Sequence, residues 1–114
     1  MTRSRTPVPG APVRGSASGR PIMVLLDLLG RRWTLRVLWE LREGPLGFRA
    51  LGTRADGMSP SVLSQRLSEL VESGIVSREE SQAYALTPRG QELLRALAPL
   101  TEWSARWAEE SAAR

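Results

Sequence analysis

The sequence predicts a mainly helical α+β fold: a winged helix-turn-helix with an apolar helix added at each end. Three observations predict it. Residues 48–86 read in order as a short helix, a tight turn, a capped second helix and a small hairpin. Apolar runs lie on both sides of that segment, at residues 22–29 and 93–107. Charge is polarised along the chain, and the positive stretch contains the two-helix segment.

Each element has a local reason. Residues 1–20 are rich in Pro, Gly, Ser and Arg, cannot form a core and are expected to be a disordered basic arm. Residues 21–114 form the folded domain. Pro21 opens the first helix and Gly30 ends it. Its residues Ile22, Met23, Leu25, Leu26, Leu28 and Leu29 are apolar on more than one face. One small core needs only one face, so a partner subunit is expected to cover the other. Residues 33–42 form the next helix, with Leu35, Leu38, Trp39 and Leu41 inward, and Gly44-Pro45 stops it. Residues 46–48 suit a short strand against the later hairpin.

The central pair follows. Residues 48–55 form a helix with Phe48 and Leu51 inward, and Asp56-Gly57 makes the turn. Met58 packs back on the next helix, Ser59 caps it and Pro60 takes its first position. That helix runs to Glu72 and stops at Gly74, with Val62, Leu63, Leu67, Leu70 and Val71 as one apolar stripe. Residues 75–78 and 83–86 form the hairpin around the tip 79–82. Thr87 and Pro88 start a last helix carrying Leu93, Leu94, Leu97, Leu100, Trp103 and Trp107, which Pro99 should kink or split. Two tryptophans beyond that proline are too much apolar surface to leave wet, and they suggest a second subunit.

Composition removes several function classes. The 114 residues suffice for one small domain. With no Cys and no His, disulfides, thiol redox sensing, zinc fingers, a catalytic imidazole and a histidine switch are all excluded. Clustered carboxylates and a glycine-rich phosphate loop are also missing, so no enzyme is read here. No signal-peptide pattern appears, and the first apolar run is too short to span a bilayer, so a cytoplasmic location is expected. All 16 basic residues are arginine. Residues 1–20 carry +4, residues 31–66 carry +4 and residues 67–114 carry −3, which favours a face attracted to DNA phosphates.

The chemistry of recognition falls on residues 60–73. A major groove admits one helix, and short polar side chains let it come close. Ser61, Ser64, Gln65 and Ser68 suit that role, with Arg66 on a flank. Gln65 is the best base-reading candidate, because its amide matches adenine through two bonds. Arg66 can reach a guanine edge or a phosphate, and the sequence does not choose. Ser59 and Ser61 stand at the helix start, where free amides favour a phosphate. Arg31, Arg32, Arg49, Arg54 and Arg78 are further backbone candidates. The wing tip, Glu79-Glu80-Ser81-Gln82, is acidic and poorly suited to a groove.

At these residues the chain resembles the HxlR family of bacterial winged-helix transcriptional regulators, relatives of the MarR-like proteins. The resemblance runs over residues 21–107, through LLDLLGRRWTLRVLWELREGPLGFRAL, GMSPSVLSQRLSELVESGIVSRE and YALTPRGQELLRALAPLTEW. It implies a homodimer, paired through the first and last helices, on a two-fold symmetric operator, with recognition helices about 34 Å apart. Ile22, Met23, Leu25, Leu26, Leu29, Leu100, Trp103 and Trp107 are the expected interface. Gln65 and Arg66 match the family's QR pair. Three departures stand out: Ser61 replaces a frequent lysine, the wing is short, and the cysteine of thiol-based sensors is missing.

The leading reading is therefore a sequence-specific regulator of double-stranded DNA, most often a repressor in this family, with no metal, no membrane and no cofactor. A small apolar or aromatic effector beside Trp33, Trp39, Trp103 and Trp107 would release it, although these tryptophans more readily serve as core and interface. The alternative is a winged-helix protein-interaction module without specific DNA binding, which the acidic wing favours.

Overall fold

The structure is a computed structural model that describes residues 6–113. Five helices and one hairpin follow in order: α1 (Pro21–Leu29), α2 (Thr34–Glu40), α3 (Phe48–Arg54), α4 (Pro60–Glu72), β1 (Val76–Arg78), β2 (Tyr84–Leu86) and α5 (Pro88–Ala112). The winged helix-turn-helix predicted above is present, with α1 and α5 on its flanks.

Local chemistry sets most boundaries. Pro occupies the first turn of α1, α4 and α5. There its missing N–H costs nothing and its fixed φ suits the helix. Ser59 Oγ accepts from the Val62 N–H, and Thr87 Oγ1 accepts from the Gly90 N–H. Between α3 and α4 the backbone turns through Asp56 (φ 50°) and Gly57 (φ 83°), left-handed conformations that Asp tolerates and Gly adopts freely. The wing pairs Val76 with Leu86, Ser77 with Ala85 and Arg78 with Tyr84 in antiparallel register. The strand expected at 46–48 reduces to one bridge, Leu46 with Tyr84, because α3 already begins at Phe48.

The core joins Leu28, Leu29, Val37, Leu38, Leu41, Leu51, Ala55, Met58, Leu63, Leu67, Leu70, Ile75 and Val76. Several inward assignments change. Thr34, Val37, Leu38 and Leu41 form the buried stripe of the second helix, whereas Leu35 and Trp39 are 50% and 46% exposed. The i, i+3, i+4, i+7 spacing from Thr34 leaves Leu35 and Trp39 on the adjacent stripe, facing α1 and α5. Phe48, also expected inward, is exposed at the start of α3 while Leu51 carries the contact. Trp33 precedes α2 with φ 75°, a strained conformation for a bulky residue, held by its packing on the core.

Pro99 does not split the last helix, and α5 runs through it for 25 residues. The bond lost at Pro99 would go to the Arg95 carbonyl, and both residues are exposed, so water can take it. Residues 6–20, expected without structure, carry turns here. The Gly10 N–H donates to the Gly19 carbonyl (3.0 Å), and Val13 and Ser16 exchange backbone bonds (2.9 and 3.0 Å). Positive φ at Gly10, Gly15 and Gly19 permits these reversals. Residues 1–5, with Arg3 and Arg5 of the predicted arm, lie outside the described residues.

Candidate nucleic-acid interface

Helix α4 buries Leu63, Leu67 and Leu70 and turns Ser61, Ser64 and Ser68 outward. A row of short hydroxyls on the exposed side lets a helix backbone approach a groove closely. The wing stands beside that row. A shallow cavity of about 400 Å³ is lined by Ser64, Ser68, Val71 and Glu72 of α4 and by Arg78 and Tyr84 of the hairpin. Arg78 is exposed, with its guanidinium 5.4 Å from the centre of the Tyr84 ring. One surface thus presents the serine row and a basic wing residue together. The acidic tip turns at Gln82 (φ 72°), closed by a bond from the Glu79 N–H to the Ala83 carbonyl (2.7 Å).

Gln65 and Arg66 sit differently from the serines. Both engage Glu69, an acid 2% exposed on the inner flank of α4. Gln65 Nε2 donates to Glu69 Oε2 at 3.0 Å. Arg66 Nη1 lies 3.4 Å from Glu69 Oε1, and the Arg66 side chain is only 17% exposed. Arg31, from the loop after α1, donates from Nη1 to Glu69 Oε2 at 2.6 Å. Its Nη2 pairs with Asp27 Oδ2 of α1 at 3.4 Å. Desolvating Glu69 is costly; Arg31 and the Gln65 amide offset it at Oε2, while Oε1 has the Arg66 charge beside it but no hydrogen bond. Arg31 and Arg66, both candidates for DNA contact in the sequence, thus have acidic partners within this chain. An acid three and four residues after Arg66 and Gln65, beside a leucine stripe, was the available signal for Glu69.

The other arginines are freer. Arg32, Arg49 and Arg54 are exposed, and Arg32 lies 6.0 Å from the Trp33 ring centre. Arg36, missed by the sequence reading, braces the helix-turn-helix turn. Its Nη2 donates to the Arg54 carbonyl (2.7 Å) and to Asp56 Oδ2 (3.0 Å), while Nε donates to Glu40 Oε2 (2.8 Å). The hydrogen bond to Glu40, then that to Asp56, raises its pKa further above an already high value. Titration of a guanidinium with a raised pKa removes stability only as pH rises past arginine's ordinary value, so Arg36 itself adds no pH dependence near neutrality.

Away from α4, the expected interface residues divide. Ile22, Leu26, Leu100, Trp103 and Trp107 are exposed, and Met23 and Leu25 are half-buried. Leu29 is corrected: it is buried in this chain's own core, because α1 turns Val24, Leu28 and Leu29 inward together. Trp103 and Trp107 stack on each other with ring centres 5.9 Å apart. Leu26, Leu35, Trp39, Leu94, Leu97 and Leu100 line an apolar cavity of about 530 Å³ between α1, α2 and α5, with Arg42 stacked over Trp39 at 3.8 Å.

This arrangement matches known proteins. The profile of the HxlR-like helix-turn-helix family covers residues 28–112. The chain belongs to the HxlR-like helix-turn-helix family. Like its relatives, this HxlR-family chain is a DNA-binding helix-turn-helix regulator of transcription. An uncharacterised HTH-type transcriptional regulator of Methanocaldococcus jannaschii is 31% identical over 91 residues, 76% of this chain and 85% of that one. Quinone-bound YodB of Bacillus subtilis superimposes with a TM-score of 0.71 at 28% identity, over 75% of this chain and 97% of that one. A protein of Enterococcus faecalis V583 assigned to the MarR family gives 0.73 at 30% identity, over 90% and 98%. No group of three or more His, Cys, Asp or Glu among the described residues could hold a metal ion. No helix among them is long and apolar enough to cross a membrane.

Proposed function

We propose that this HxlR-family protein is a cytoplasmic repressor that binds a two-fold symmetric operator as a homodimer. The observation that carries the reading is the outward row Ser61, Ser64 and Ser68 on a capped α4, with Gln65 at its edge and Arg78 of the wing beside it. The serines admit the helix to the major groove, Gln65 reads adenine, and Ser59, Arg32, Arg49, Arg54 and Arg78 hold phosphates. Pairing through α1 and α5 supports the same reading, since Ile22, Leu26, Leu100, Trp103 and Trp107 are large apolar groups on the surface of one chain. Repression follows from occupancy: a dimer across two major grooves blocks polymerase. In a chain without cysteine, release falls to a ligand held without a thiol bond, and the apolar cavity at Trp39 is the place for a small aromatic one.

The test is a gel shift at stated salt, using the intergenic region next to this gene and a shuffled duplex of equal length. The native region should bind more tightly than the shuffled one, and Gln65→Ala should weaken the native complex by about tenfold with little effect on the shuffled one. Equal affinity for both duplexes, unaffected by Gln65→Ala, would instead support the protein-interaction module, which the acidic tip Glu79-Glu80 favours.

A further inference from the structure

Glu69 is the buried charge that recognition by the serine row leaves unexplained. We propose that Glu69 sets the specificity of DNA reading by locking the Gln65 amide in the one orientation that matches adenine. The inference rests on the reading of α4 as the recognition helix.

The chemistry is one-sided. A carboxylate only accepts hydrogen bonds, so Gln65 must turn its Nε2, not its Oε1, toward Glu69. One amide hydrogen is used, and we assign to this bond the hydrogen on the Cγ side. The other hydrogen stands beside Oε1, and the two form the donor–acceptor pair that adenine N7 and the N6 amino group require. An unheld glutamine can flip its amide and offer donors to guanine as readily. The locked amide cannot, and it also enters the groove with its rotamer entropy already lost.

The lock works because Glu69 is itself immobile. Its side chain is 2% exposed, and Oε2 is held at 2.6 Å by Arg31, which reaches it from outside the helix and is steadied by Asp27. Oε1 faces Arg66 at 3.4 Å. Arg66 therefore supports Glu69 instead of reading a base. Glu69 is a positioning residue: it touches no DNA and acts through Gln65.

The experiment uses the full chain and selection from a randomised duplex library, followed by affinity measurement on single-base variants of the selected site. Arg31→Met/Glu69→Met removes the acceptor together with its main counter-charge at similar volume. The wild type should prefer adenine at one position of each half-site. Arg31→Met/Glu69→Met should lose that preference by about tenfold while binding random DNA nearly as before. Adding Gln65→Ala to it should cost nothing further. A folded Arg31→Met/Glu69→Met protein with the wild-type preference overturns the proposal. Should the double variant not fold, the side-chain amide of Gln65 in the wild type decides by NMR: an order parameter near that of the backbone supports the lock, and a freely mobile amide overturns it. A wild type with no sequence preference defeats the DNA-reading function itself, and the amide measurement still reports separately on Glu69.

Discussion

Gly90 has no room for a side chain. A Cβ at this position would overlap the Ile75 carbonyl oxygen and press on Leu86. Thr87 draws the same three segments together, because its Oγ1 donates to the Gly74 carbonyl (2.6 Å) and accepts from the Gly90 N–H (3.0 Å). The Thr-Pro-Arg-Gly sequence is thus a seat for α5 on the start of the wing. Gly90→Ala should force α5 off this seat and cost about 2 kcal/mol, read as a lowered midpoint in thermal or urea unfolding. Unchanged stability would mean that the backbone at Ile75 yields freely.

At the level of elements, α4 depends on its first turn. Ser59→Ala removes the acceptor for the Val62 N–H and should cost about 1 kcal/mol of stability. DNA affinity should fall further than a threefold margin only if Ser59 also holds a phosphate, so unfolding and gel-shift measurements on this variant separate the two roles. The wing contributes through Arg78. Arg78→Ala should weaken binding to all duplexes alike and lower the slope of log affinity against log salt by about 1. An unchanged slope would place Arg78 away from the phosphates and leave its stacking on Tyr84 as its role.

For the whole molecule, the question is what covers the apolar flank. Trp103 and Trp107 stack on each other near the end of α5 and remain 55% and 58% exposed, beyond the part of the helix that packs on the core. Trp103→Glu/Trp107→Glu should convert a dimer to a monomer in sedimentation experiments with α-helical content retained. It should also weaken operator binding by far more than tenfold, because one recognition helix alone contacts half of the site. A variant that stays dimeric would move the interface to α1 and the cavity at Trp39.

The sequence by itself determined the elements and their order, because their signals are local. Ser59-Pro60, Asp56-Gly57 and Thr87-Pro88 each act on backbone groups within a few residues. The serine row of α4 was legible for the same reason, since helical spacing alone sets it opposite Leu63, Leu67 and Leu70. Tertiary structure decided which of several apolar stripes turns inward: Leu35 and Trp39 went out and Leu29 went in. It also decided how far arginine charge is available to DNA. Arg31 and Glu69 are 38 residues apart in sequence. No periodicity links such a pair, and only the folding of the loop after α1 onto α4 brings them within 2.6 Å, where the guanidinium meets a buried carboxylate.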